Sequence, residues 1–229
     1  MQVHVVTKAN AHLYPKELEQ FFRIRHDIYA VDLGWVPVSA DGLERDQFDI
    51  AEAVYMLGIE DGRVITGSRF TPTHLPHMLS VVFPHMCTRN GGIIHSPDVA
   101  EWTRGFVIPE YREGLGVRLK AQFCHAVMEY FLAEGVTKIG GIQEIYWLSL
   151  WKRFGWSVAI HGEPADFNGR DWVPAYFDVS EAALAGAARW GKLESSILVR
   201  RGDIKPFISD EIRAGDADAA ARVQLHAHG

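Results

Sequence analysis

Apolar residues follow two different rhythms along this chain. Between residues 16 and 31, Leu18, Phe21, Phe22, Ile24, Ile28 and Val31 recur every three or four positions, which predicts an amphipathic helix. Arg25 and Tyr29 lie four residues apart and share one of its faces. Further helices are predicted over about 114–133, over 145–155 ending at Gly155, and over 180–190 with Ser180 as N-cap. Shorter apolar runs with strand character fall at 3–7, 53–60, 63–70, 99–108, 137–142, 156–162 and 171–180. Asp61-Gly62 joins the second and third of these as a hairpin turn. Pro72, Pro76 and Pro84 frame a short helix, and residues 33–47 read as a loop in which Trp35 is an unusual residue to leave in water.

Strands alternating with helices predict a three-layer α/β architecture. The 229 residues suit one such domain over 1–190, followed by an extension, 191–229, that is partly disordered because its last twenty residues are rich in Ala and Asp. No apolar stretch approaches the roughly 20 residues that span a bilayer, so no membrane association is expected. The opening MQVHVVTKAN lacks the features of a signal peptide, which makes a cytoplasmic protein the expectation.

Net charge changes the picture of partners. With 23 basic and 29 acidic side chains the chain carries −6, which argues against nucleic acid as a partner. Cys87 and Cys124 form no CxxC pair and suggest no disulfide framework. Eleven histidines include no HExxH, and His74 and His77 merely bracket a Pro-containing turn, so no metal site is expected.

Several charges sit where they are costly. Arg25, Arg69, Glu101 and Arg104 lie inside or beside the apolar segments FFRIRHDIYAVDLGW, VITGSRF and VAEWTRGFVI, with Asp46 and Asp49 in a D-x2-D between them. Charges in such surroundings need partners. A paired cluster beside Tyr29 and Trp35 is a candidate site for a charged small molecule; the plainer alternative is core aromatics and a solvated acidic loop. Strict alternation on 99–108 places Glu101, Thr103 and Gly105 on one face and Trp102, Arg104 and Phe106 on the other. Glu101 and Arg104 therefore part company unless a bulge intervenes at Gly105.

The segment PEYREGLG, between a strand and a helix, resembles the phosphate-binding turn of GNAT acyltransferases, where R/Q-x-x-G-x-G/A opens a helix. A glycine-bearing turn there presents free N–H groups to an anion. Gly114 and Gly116 fit the pattern, with Tyr111 rather than Arg112 at the R/Q position. A simple strand-to-helix turn accounts for the same residues.

Taken together, FRIRHDIYAVDLGW, ERDQFD, VITGSRFTPT and EWTRGFVI resemble the acyl-homoserine lactone synthases, the autoinducer synthase family, over about residues 5–180. Arg25, Trp35, Asp46, Asp49, Arg69, Glu101 and Arg104 match that family's charged and aromatic positions, and Tyr29 stands where it commonly has Phe. The resemblance implies a GNAT-like mixed sheet flanked by helices. It implies an acyltransferase that joins S-adenosylmethionine (SAM) to an acyl thioester and releases methylthioadenosine and the carrier thiol. SAM is then a substrate, and no cofactor is expected.

On that reading, Glu101, Arg25, Asp46 and Arg104 serve catalysis, with Glu101 the general base that neutralises the α-amino group. Tyr29, Trp35, Asp49, Arg69 and Phe106 bind SAM, whose cation and base suit aromatic faces and whose carboxylate suits an arginine. Arg112, Gly114, Gly116 and Arg118 meet the acyl carrier. That carrier is either acyl carrier protein or coenzyme A; HMLSVVFPHM and EWTRGFV look nearest to relatives using CoA-linked branched or aromatic acyl groups, which tips the expectation to acyl-CoA. Trp147 and Trp151 either shorten the acyl pocket or belong to the core. Two rival functions remain: an ordinary GNAT N-acetyltransferase using acetyl-CoA, and a non-catalytic module that binds SAM or acyl-CoA.

Overall fold

The computed structural model describes residues 1–112, 116–167 and 169–215. The chain begins with strand β1 (Gln2–Val6) and helix α1 (Pro15–Arg25), started by Pro15 at its first turn. It continues without a break into a π-helical segment, His26–Asp32. The hairpin β2 (Val54–Glu60) and β3 (Arg63–Pro72) turns at Asp61 and Gly62, both at positive φ (49° and 75°). This is the turn geometry that Asp-Gly favours. The short helix α2 (Met78–Val81) precedes β4 (Val99–Val107). Helix α3 (Gly116–Ala133), strand β5 (Lys138–Glu144), helix α4 (Trp147–Arg153) and strand β6 (Val158–Ile160) follow. The chain closes with β7 (Ala165–Phe167), β8 (Arg170–Asp178), α5 (Glu181–Gly191) and β9 (Leu198–Arg200). Ser180 caps α5 as its sequence position indicates, accepting from the Ala183 N–H at 3.2 Å.

The nine described strands form one sheet in the order β6-β8-β5-β4-β3-β2-β1-β9, with β7 also paired to β8. Pairing is antiparallel except for β4–β5 and β1–β9. Alternation divides the sheet's side chains. Val54, Met56, Phe70 and Ala100 join the main core with α3, α4 and α5. Leu57 packs with Phe21 and Phe22 of α1 on the opposite side, where Val99 and Tyr176 meet Leu79 of α2. The three-layer reading is thus realised. No described helix is long and apolar enough to cross a membrane.

Two departures from the sequence reading concern the ends of elements. The domain does not stop at 190: β9 pairs with β1, and Phe207 and Ile208 are buried in the main core, Phe207 edge-on to Phe131 at 5.1 Å. Residues 210–215 are helical, and the rest of the expected disordered tail lies outside the described residues. Strands β7 and β9 are only three residues long, too short for a periodic signal.

The third departure shapes the site. Strands β4 and β5 pair only over Val99–Glu101 and Lys138–Gly140. Beyond that point β4 stays with β3 and β5 stays with β8, so the sheet opens as a wedge whose apex is Glu101. Gly140 is required at this apex, since a Cβ there would lie 2.2 Å from the Ala175 carbonyl oxygen.

Candidate active site

The site lies on the α1–α2 face of the sheet. Two irregularities in regular elements aim its side chains. The first is the passage from α1 into a π segment at Arg25. The wider turn shifts the following residues around the axis, and the chain then folds back so that the Trp35 N–H donates to the Tyr29 carbonyl at 2.8 Å. The second is a bulge in β4. Arg69 pairs with Thr103 and Gly67 with Phe106, so β4 carries one extra residue opposite Ser68. Arg104 takes the strain with φ at +54°, a conformation costly for a side chain with a Cβ. The bulge brings Arg104 round to the face of Glu101 and Thr103, which uniform alternation forbids.

Three arginines and three carboxylates converge there. Arg25 Nε donates to Glu44 at 2.5 Å, and its two terminal nitrogens form a fork on Asp49 at 2.8 and 2.9 Å. Arg69 forks onto Asp46 at 2.5 and 3.1 Å while its Nε donates to Thr103 Oγ1 at 3.1 Å. Arg104 Nη2 reaches Glu44 at 3.1 Å and Asp46 at 2.7 Å. The D-x2-D spacing is locally self-consistent. Asp46 Oδ1 accepts from the Phe48 N–H and Asp49 Oδ2 from the Asp46 N–H, both at 2.8 Å, as in an Asx turn.

Burial within the cluster is uneven. Arg25 and Arg69 are fully enclosed, Arg25 lying 5.3 and 5.1 Å from the rings of Phe21 and Phe22. Arg104 and Asp46 keep 9% and 16% of their side chains exposed, so a ligand meets those two first. Burial pushes the Asp49 carboxyl up, but hydrogen bonds from Arg25 and the charges of Arg69 and Arg25 outweigh it and hold Asp49 well below the usual carboxylate range. The cluster is formally neutral, three positive groups against three negative, as a buried assembly needs to be.

Glu44 is the member that sequence reasoning missed. It is 4% exposed and bridges Arg25 to Arg104. The only sequence signal is its position at the head of ERDQFD, next to Leu43 and near Phe48, where an acid in a polar loop gives no cue to burial. Tyr55, whose hydroxyl donates to Asp49 at 3.0 Å, also escaped notice, and Thr103, which alternation places beside Glu101, carries no assigned role in the sequence reading.

Glu101 stands apart from the ion cluster, fully buried, with its two oxygens accepting the Met78 and Leu79 N–H groups of α2 at 2.7 Å each. Burial raises its carboxyl to about 7, although both N–H groups and Arg69 pull the other way. The Thr71 hydroxyl, across the ladder from Glu101, is buried with no hydrogen-bond partner among the described residues.

The aromatics form a wall. The Arg104 guanidinium lies 5.0 Å over the Tyr29 ring; Tyr29 and Trp35 are 5.7 Å apart, and Trp35 meets Trp172 of β8 edge-on at 4.9 Å. Tyr29 donates to the Gly105 carbonyl at 2.9 Å, and burial pushes its phenol up to about 12 despite Arg104. Trp35 is 37% exposed. Phe106, which the sequence places at the ligand, is carried by the same bulge to the site's face of the sheet, where it packs against Phe21 of α1 at 5.6 Å.

At the head of α3, Arg112 donates to the Val107 carbonyl at 2.8 Å and Arg118 to the Gly191 carbonyl at 3.2 Å. Gly116 opens the helix close to the Tyr111 carbonyl, and Gly114 lies outside the described residues. Trp147 and Trp151 belong to the far side of the sheet, where Trp151 stacks on Trp156 at 5.0 Å.

Comparison with known proteins identifies the family. Residues 10–185 match the family described as Autoinducer synthase. The chain is 38% identical over 183 residues to the isovaleryl-homoserine lactone synthase of Bradyrhizobium diazoefficiens, covering 80% of this chain and 82% of that protein. It is 27% identical over 166 residues to an acyl-homoserine-lactone synthase of Ralstonia nicotianae, covering 70% and 81%. Its fold superposes with a TM-score of 0.83, at 33% identity, on BjaI, described as a CoA-dependent acyl-homoserine lactone synthase with SAM and isopentyl-CoA, over 90% of this chain and 96% of that one. An N-acetyltransferase from Lactobacillus plantarum shares the fold at TM-score 0.52 and 13% identity, over 79% and 100% of the two chains.

Proposed function

The chain belongs to the autoinducer synthase family, and on that premise we propose that it makes an N-acyl homoserine lactone from SAM and a short, branched acyl-CoA. The observation that carries this reading is the neutral ion cluster with its two accessible members, Arg104 and Asp46, standing beside an aromatic wall and a wedge with Glu101 at its apex.

The amino-acid end of SAM is a carboxylate next to an amine. Arg104 meets the carboxylate and Asp46 the amine, while Arg25, Arg69, Glu44 and Asp49 hold those two in place as positioning residues. Tyr29 and Trp35 face the sulfonium and the base. The wedge between β4 and β5 takes the acyl thioester, and unpaired N–H groups along β4 meet the oxyanion.

Acylation needs the free electron pair of the amine. Glu101, directly or through a water, takes the proton as nitrogen attacks the thioester carbonyl; the C–S bond breaks and the proton passes to the departing CoA thiolate. With an ordinary value of about 7.7–8.0 the amine needs only a weak base. In the second step a carboxylate oxygen attacks the γ-carbon of the methionine chain, the C–S⁺ bond breaks, and the electron pair neutralises the sulfonium as methylthioadenosine leaves. That step needs alignment more than acid–base help.

The CoA-dependent relative favours CoA over acyl carrier protein as donor, and the isovaleryl-homoserine lactone synthase of Bradyrhizobium favours a branched five-carbon acyl group. Incubation with SAM and isovaleryl-CoA, analysed by mass spectrometry, tests the reading. Isovaleryl-homoserine lactone with methylthioadenosine supports it; an acylated amine without methylthioadenosine points to a plain N-acetyltransferase.

A further inference from the structure

Trp172 contributes a buried indole N–H that has no hydrogen-bond partner among the described residues. Buried donors of this kind are normally paired, and an indole N–H can only donate. Its place in the fold is informative. On β8, Val173, Ala175 and Phe177 point into the core beneath α3, so Trp172 belongs to the opposite face, with Tyr176 and the site. There its ring meets Trp35 edge-on at 4.9 Å, Trp35 meets Tyr29 at 5.7 Å, and Arg104 covers Tyr29. A continuous wall therefore runs from the accessible Arg104–Asp46 pair to an unpaired donor.

A ligand anchored at Arg104 and lying along this wall presents its far end to Trp172. For SAM that end is adenosine, which has ring nitrogens and ribose oxygens as acceptors. We propose that Trp172 is a further substrate-binding residue, its indole N–H donating to an acceptor on the adenosine of SAM while Trp35 faces the base. This rests on the synthase reading. Coenzyme A carries adenosine too; the continuity of the wall with the ion cluster assigns the donor to SAM.

The test uses the full chain and its Trp172→Phe variant, which keeps a ring and removes the N–H. The variant is expected to raise KM for SAM about tenfold and the Kd of methylthioadenosine, measured by calorimetry, by a similar factor. Its kcat stays within about twofold and its KM for isovaleryl-CoA is unchanged, a split that a general loss of structure would not give. In the wild type, one member of a methylthioadenosine series lacking single ring nitrogens or ribose hydroxyls binds about tenfold more weakly, and Trp172→Phe binds that analogue and the parent equally. The series in the wild type decides even where the variant does not fold. Unchanged SAM and methylthioadenosine affinities, a series with no discriminating member, or an effect confined to acyl-CoA overturns the assignment. Failure of the wild type to form lactone defeats the synthase reading instead, and methylthioadenosine binding then judges the indole separately.

Discussion

Arg104 Nη2 lies 3.1 Å from Glu44 Oε1, a contact that joins the middle of a strand to a loop sixty residues earlier in the chain. The contact exists because β4 has one residue more than β3 opposite Ser68 and Arg104 accepts a left-handed backbone to absorb it. Through Glu44, Arg104 is coupled to Arg25, which lies too deep to be reached from outside.

Removing Glu44 leaves two arginines short of a counter-charge in a buried setting. Glu44→Ala is expected to lower the unfolding free energy by about 3 kcal/mol or more. Urea unfolding measures it. Asp41→Ala, which breaks an exposed pair with Arg45, is the control and should leave the midpoint where it was.

Glu101 gives a pH prediction with a definite sign. Its carboxyl ionises near 7 in the folded chain and near its ordinary 4.5 when unfolded. The base form disappears as pH falls through 7, so kcat/KM should decline on the acid side with a slope of one proton. Stability runs the other way. The group's contribution is complete below 4.5 and is lost as pH rises through 7, a change of roughly 3 kcal/mol. Glu101→Gln should abolish acylation and flatten that part of the stability profile, while methylthioadenosine still binds. Lactone formation near the wild-type rate in this variant would remove Glu101 from the chemistry.

Tyr29→Phe removes only the hydrogen bond to the Gly105 carbonyl and keeps the ring under Arg104. A loss of about 1 kcal/mol in stability and activity within a few-fold of wild type are expected. A drop of a hundredfold in kcat/KM would show that the hydroxyl takes part in the reaction.

Truncation after residue 190 removes β9 and strips Phe207 from Phe131. The shortened chain should lose its cooperative thermal transition, which circular dichroism would register. A sharp transition at the wild-type temperature would restore the boundary at 190.

The fold was legible where its signals are periodic. The helical stripe from Leu18 in α1 to Ile28 in the π segment, the Asp61-Gly62 hairpin and the Ser180 cap each rest on local chemistry, and each is found in place. The ion cluster was legible in outline, because arginines inside FFRIRHDIY and VITGSRF need partners wherever they fold. What sequence could not specify is direction. One inserted residue decides that Arg104 and Phe106 both turn to the α1 face rather than into the main core, and Gly105 only hints at it. Glu44 and Trp172 were missed because their environments come from distant segments: Glu44 is buried by Arg25 and Arg104, and Trp172 meets the site through Trp35.

The proposed function requires one active site to consume SAM and acyl-CoA together. The most direct measurement is a single incubation of the purified chain with SAM and isovaleryl-CoA, alongside a matched acyl carrier protein thioester, in which lactone, methylthioadenosine and free thiol are counted over time. Equal amounts of all three are expected from the CoA donor, and far less from the carrier protein. Free thiol without methylthioadenosine, or methylthioadenosine without lactone, would contradict it.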